Sequence, residues 1–163
     1  PTAARVPQRA SARRVEAAML VLTRKLGQAL HIGDHVRICL RDKTRFHAVV
    51  CVLAPLELPV EWDDRPLRPA RLPQGGGMTL IPLLSGERFR VGDAAVRVWF
   101  DTGPGARRYR ERAVRFGVGA PLDVAVHREE VLIRIRASLS AEASGHGGPA
   151  QVDDRWRAWE SAA

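Results

Sequence analysis

The feature that most constrains this chain is that it repeats itself. Shifted by 59 residues, MLVLTRKLGQALHIGD (19–34) falls on MTLIPLLSGERFRVGD (78–93), so that Met19 meets Met78, Gly27 meets Gly86 and Gly33-Asp34 meets Gly92-Asp93. Leu22 meets Ile81, Leu30 meets Phe89 and Ile32 meets Val91. Further on, Val36-Arg37-Ile38 is matched with Val96-Arg97-Val98, and with a longer offset Ala54-Pro55 meets Ala120-Pro121 and Val60 meets Val126. The offset grows because the second copy carries a longer loop, DTGPGARRYRER. A period of this length marks a repeated supersecondary unit. Each copy is too small to bury a good core by itself, so the two are expected to complete one core between them.

Alternation of apolar and polar residues between turn signals predicts five short strands per copy. In the first copy they fall at about 20–25, 29–32, 35–42, 45–53 and 57–62, and in the second at about 79–84, 88–91, 95–101, 113–119 and 123–128. The copies diverge at their ends. VAVHREE closes the second copy, and a helix is expected to follow it. Glu129 and Glu130 suit the positive end of the helix dipole, Val131, Leu132, Ile135 and Leu139 recur at helical spacing, and Gly145 is the expected stop. The first copy ends instead in PVEW and runs into DDRPLRPARLPQGGG, whose prolines and glycines exclude a helix and read as a linker over 63–77. The resulting division is an arm (1–18), a first repeat (19–62), the linker, a second repeat with its helix (78–144), and a tail (145–163) in which Trp156 and Trp159 suit one short helix.

Charge narrows the partners. The 163 residues carry a formal net charge of +8, most of it on arginine. Arginine's planar fork suits phosphate and base edges, so a polyanion, most often nucleic acid, is the expected partner. The bland alternative is a basic, well-solvated surface. Cys39 and Cys51 lie in apolar strand-like runs and read as buried free thiols of a cytoplasmic protein. No apolar run is long enough to span a membrane, and residues 1–18 lack the apolar core of a signal peptide and read as a disordered basic arm. His31, His35 and His47 match no metal-binding spacing. No nucleophile sits beside a base and no acids pair, so neither an enzyme, a metal nor a cofactor is expected.

The motifs LVLTRK, IGD, AP and VHREE, in this order, resemble the carbon storage regulator (CsrA/RsmA) family of small bacterial RNA-binding proteins. The resemblance covers residues 19–62 and 78–140. It implies a mainly β fold in which two interleaved five-stranded repeats form a pseudo-dimeric sandwich or barrel, with a helix after the second. It also implies a translational regulator, commonly a repressor, that recognises GGA motifs in hairpin loops of messenger or small RNA. The chain is then expected to be a monomer that acts as its own dimer.

In that family each RNA site combines the first strand of one protomer with the fifth strand of the other. Carried over, the first-strand contributors are Leu22, Thr23, Arg24 and Lys25, and the fifth-strand contributors are Val126, His127 and Arg128. Leu22 is expected to seat a base, and Arg24, Lys25 and Arg128 to neutralise phosphate. The other combination collects Pro82, Leu83, Glu61 and Trp62. Pro82 has no N–H to donate, Leu83 stands where a cation should, and Glu61 repels phosphate. One intact site and one degenerate site per chain are expected. Arg107, Arg108 and Arg110, around Tyr109 in the longer loop, are possible accessory RNA contacts. The competing reading is a protein-interaction module, or an antagonist of the family, whose altered face around Trp62, Leu83 and Leu84 binds a protein.

Overall fold

The computed structural model describes residues 19–102 and 113–143. The arm, the arginines around Tyr109, Gly145 and the tail with Trp156 and Trp159 lie outside the described residues. Twelve strands and one helix follow in order: β1 (Met19–Arg24), β2 (Ala29–Ile32), β3 (Val36–Lys43), β4 (His47–Ala54), β5 (Val60–Trp62), β6 (Arg65–Pro66), β7 (Ala70–Arg71), β8 (Gly77–Leu84), β9 (Arg88–Val91), β10 (Ala94–Trp99), β11 (Val114–Gly119), β12 (Val126–Arg128) and α1 (Glu129–Ala143). They form two antiparallel sheets, β1-β11-β10-β9-β5-β6 and β12-β2-β3-β4-β8-β7.

Each sheet draws strands from both halves of the chain. β1 pairs with β11, Met19 opposite Gly119, while β8 pairs with β4, Met78 opposite Leu53. β12 pairs with β2, Val126 opposite Ile32, while β5 pairs with β9, Val60 opposite Val91. The registers therefore repeat under the shifts read in the sequence. One match needs correction. Leu30 faces Ile38 and Phe89 faces Val96, so Ile38 corresponds to Val96 and Arg37 to Ala95, not to Arg97. The cause is a turn shorter by one residue, Gly92-Asp93 against Gly33-Asp34-His35. Shifting the match by two residues leaves every side chain on the same face, which hides the error from a hydropathy pattern.

The inward faces meet in one continuous core. Leu30, Ile38, Leu40, Val50 and Val52 from one sheet pack with Phe89, Val96, Val98, Val114 and Phe116 from the other, with Leu22, Ile81 and Leu83 among them. A second, smaller cluster lies on the outer face of the second sheet. There Ala29, Cys39, Cys51 and Leu53 are covered by Leu72, with Met78 beside it. Both cysteines are free and buried.

Leu72 belongs to the stretch expected to be a plain linker. Residues 63–77 instead carry β6 and β7, which extend the two sheets by pairing with β5 and β8. Asp63 and Asp64 both take positive φ, at 53° and 56°, between the paired residues Trp62 and Arg65. A two-residue connection with both residues left-handed is the hairpin turn whose twist matches that of strands, and Asp is among the few residues that tolerate it. The fifth strands are also shorter than expected. Residues 57–59 and 123–125 precede the strands, in segments closed by Leu58 N–H to Pro55 C=O at 3.1 Å and Val124 N–H to Pro121 C=O at 2.9 Å.

The helix departs from expectation in its packing. Only Leu132 is buried; Val131, Ile133 and Ile135 are more than a third exposed and Leu139 is 60% exposed. The helix packs mainly against β12 and β2. Among the described residues, no helix is long and apolar enough to cross a membrane.

Candidate functional site

The sandwich has two open sides, and β1 and β12 border the same one. Each is the terminal strand of its sheet, paired on one flank only. Their outer flanks carry the unpaired backbone groups that edge strands present. The two edges are tied together by side chains. Arg24 donates from Nη1 and Nη2 to the two carboxylate oxygens of Glu130 at 2.8 and 2.9 Å, and its Nε donates to the Thr23 carbonyl at 2.7 Å. The bidentate arrangement fixes both groups. It holds the Glu130 carboxyl below the usual carboxylate range, the Arg24 hydrogen bond being the main cause.

A second carboxylate anchors the start of the helix. Glu129 accepts from Arg37 Nε at 2.7 Å and Nη2 at 3.2 Å, and lies 3.1 Å from His31 Nε2. Burial alone would raise its pKa. The hydrogen bonds from His31 and Arg37 outweigh that and hold it at about 2. The acids of VHREE therefore do more than suit the helix dipole: each grips a base from the first half of the chain. This explains why a strand turns into a helix at this point. His127 faces His31 across the β12–β2 pair, and Arg128 faces Leu30, so successive residues of β12 project to opposite sides before the two acids close the corner.

The seven residues expected to bind do not all reach the surface. Thr23 and Lys25 are exposed, Arg128 is exposed, and Val126 and His127 are half-buried at the rim. Arg128 makes no ion pair among the described residues, though its charge helps to lower the pKa of Glu130. Leu22 is 7% exposed and belongs to the core, so it cannot seat a base. Arg24 is 3% exposed and saturated by Glu130, so it holds the two edges together and does not meet phosphate directly.

An apolar recess begins two residues earlier on the same strand. Leu20, Leu122, Val124 and Val126 line a shallow recess of about 180 Å³ between the sheets, with Ala120 and Pro121 at its back. Leu20 is 41% and Leu122 76% exposed. Leu20 and Leu22 share a face of β1, and the parity of a strand cannot say which of two leucines lies past the end of the core. Leu122 sits in the turn after the matched Ala-Pro pair, where no periodic pattern draws notice.

The opposite side is built differently. β5 is not an edge at all: β6 pairs with it, Glu61 opposite Pro66 and Trp62 opposite Arg65. β7 covers the beginning of β8. Leu83, which takes the place of Arg24, is wholly buried, and Trp62 packs partly against the core. The apolar patch expected around Trp62, Leu83 and Leu84 is reduced to Leu84, with Leu80 exposed nearby. Pro82 lies opposite Val49 and is exposed.

No family model matches the chain, and no solved structure matches it.

Proposed function

We propose that the chain is an RNA-binding regulator of translation of the carbon storage regulator type, a covalent pseudo-dimer with one working RNA site. The observation that carries this reading is the convergence of two bare strand edges with Thr23, Lys25, Val126, His127 and Arg128 at one side of the sandwich. Edge backbone groups and arginine are what single-stranded bases need for hydrogen bonding along their exposed edges, and the Leu20–Leu122 recess beside them offers an apolar seat. The exchange of strands between halves supports the pseudo-dimer. The opposite side lacks a free β5 edge, the buried arginine and the exposed one, which supports a single site.

The test is a binding titration with a hairpin carrying GGA in its loop and the same hairpin carrying CCA. The GGA loop should bind more tightly, with affinity falling as salt rises because phosphate neutralisation releases counterions. Calorimetry should saturate at one hairpin per chain. Equal affinity for both loops would reduce the reading to unspecific charge attraction, and two equivalent hairpins per chain would show that the second side is alive.

A further inference from the structure

The two sheets have equivalent outer faces that are treated in opposite ways. On the second sheet, Ala29 pairs with Cys39, and both are buried beneath Leu72 and Met78. On the first sheet the same two positions are Arg88 and Arg97, directly opposite one another and exposed. No covering segment like the one that carries Leu72 lies over them among the described residues. A groove of about 790 Å³ is left across β9 and β10.

Like charges directly opposite on adjacent strands destabilise a sheet. Arg88 and Arg97 stand in that relation, and neither has a carboxylate partner among the described residues. The basic strip they begin continues on the neighbouring strand, displaced by two residues. Arg97 lies opposite Gly117, Trp99 opposite Arg115, and Arg115 opposite Thr23 of the edge site. The Trp99 ring sits close against Gly117: a Cβ there would come within 2.6 Å of it, so a side chain at this position would displace the indole. The Arg97 guanidinium is 5.9 Å from the centre of that ring. Five carboxylates share the groove: Glu61 opposite Arg90, Asp63 and Asp64 in the hairpin turn, Asp93 in the next turn, and Glu87, which accepts from the Leu84 N–H at 2.8 Å. None of them forms an ion pair with Arg88, Arg97 or Arg115 among the described residues.

We infer that this strip is a second RNA-contacting surface, a track for the single strand that flanks the recognised loop. It rests on the RNA-binding reading and extends it. Arginines on three neighbouring strands, about 4.8 Å apart, meet phosphates of a strand laid across them, and the indole offers a base a stacking partner without regard to sequence. The track begins at Thr23, so a strand leaving the edge site runs onto it.

The experiment uses the full chain with three RNAs: a blunt GGA hairpin, the hairpin with a single-stranded extension of about six nucleotides on either end, and the extension alone. The extended hairpin should bind about tenfold more tightly than the blunt one. The variant Arg88→Gln/Arg97→Gln should lose that gain and bind the blunt hairpin unchanged. The charge-matched control Arg65→Gln/Arg68→Gln should keep the gain. Should the double variant not fold, Arg115→Gln carries the same test with a single exposed change. Absence of the gain in the unmodified protein, its survival in Arg88→Gln/Arg97→Gln, or equal loss in the control would overturn the track. Failure to bind the blunt hairpin, with an Arg88- and Arg97-dependent affinity for the extension alone, would overturn the GGA reading and leave the track standing.

Discussion

The two open sides of the sandwich start from the same plan and end unlike. On one, β1 and β12 keep free edges, and two acids at the start of the helix clamp Arg24, His31 and Arg37. On the other, the positions of those acids are Asp63 and Asp64, which make a hairpin turn, and the strand it returns seals the edge. Leu83 replaces Arg24 and Ala95 replaces Arg37, so there is nothing for a carboxylate to grip. A repeated unit can thus keep its core and register while one side trades a polar clamp and open edge for a covered edge. The two sides thus differ by occupation of an edge as much as by substitution of side chains.

The largest effect should come from emptying the clamp. Arg37→Ala leaves Glu129 with His31 alone in a mostly buried position, and breaking a buried pair by removing one partner costs about 3 kcal/mol. Its pseudo-equivalent change, Ala95→Arg, places a charge on an exposed site and should cost about 0.5 kcal/mol or less. Denaturant melts of both would break the comparison if the two losses were equal.

Acid should attack the same side. Glu129 has its carboxyl pKa depressed from 4.5 to about 2, so its contribution is complete above pH 4.5 and fades as pH falls toward 2. At most about 3 kcal/mol is at stake. Stability measured across that window should fall less steeply in Glu129→Gln, and parallel curves would remove the clamp from the account.

Next comes binding. Arg128→Ala should weaken the GGA hairpin by about 2 kcal/mol, whereas Trp62→Ala should leave RNA affinity unchanged in the folded fraction. Arg24→Leu, which copies the opposite side, separates position from contact. Its stability should drop by about 1–2 kcal/mol, and hairpin affinity should fall no more than the loss of the clamp accounts for. A binding loss in Arg24→Leu with no change in stability would restore Arg24 as a direct contact. The smallest effect belongs to the turn. Asp64→Gly relieves a left-handed residue and should raise stability by under ~1 kcal/mol, read as a small rise in melting temperature.

Strand order was legible because glycine turns and alternating apolar residues recur in step. The exchange of strands followed from two copies each too small to stand alone. What escaped was tertiary. The sequence of 63–77 holds no alternating run, yet it pairs twice, at the β5 edge and at the start of β8, and its Leu72 buries the apolar Cys39 face. Arg24 reads as a surface cation in any hydropathy pattern. Only its meeting with Glu130, over a hundred positions away, makes it a buried tie. Leu22 and Leu20 exchanged roles for a related reason: where the core stops along β1 depends on β11 and β12, not on β1 itself. The helix was foreseen, but its apolar residues lie mostly in the open, since periodicity reports a face and not what covers it.

The exchange of strands also sets a timetable. β1 finds its partner about 100 residues later, with Met19 opposite Gly119, and β2 waits for β12 in the same way. During synthesis the first half therefore emerges with its two sheet borders unfilled and its core residues wet. Long-range pairing of this kind slows folding, since the chain must lose loop entropy before such contacts repay it. The hairpin at Asp63-Asp64 forms from neighbours alone and is available at once. It shields β5 while the rest of the chain is still being made, at the border where an unfinished sheet would otherwise recruit a strand from another molecule.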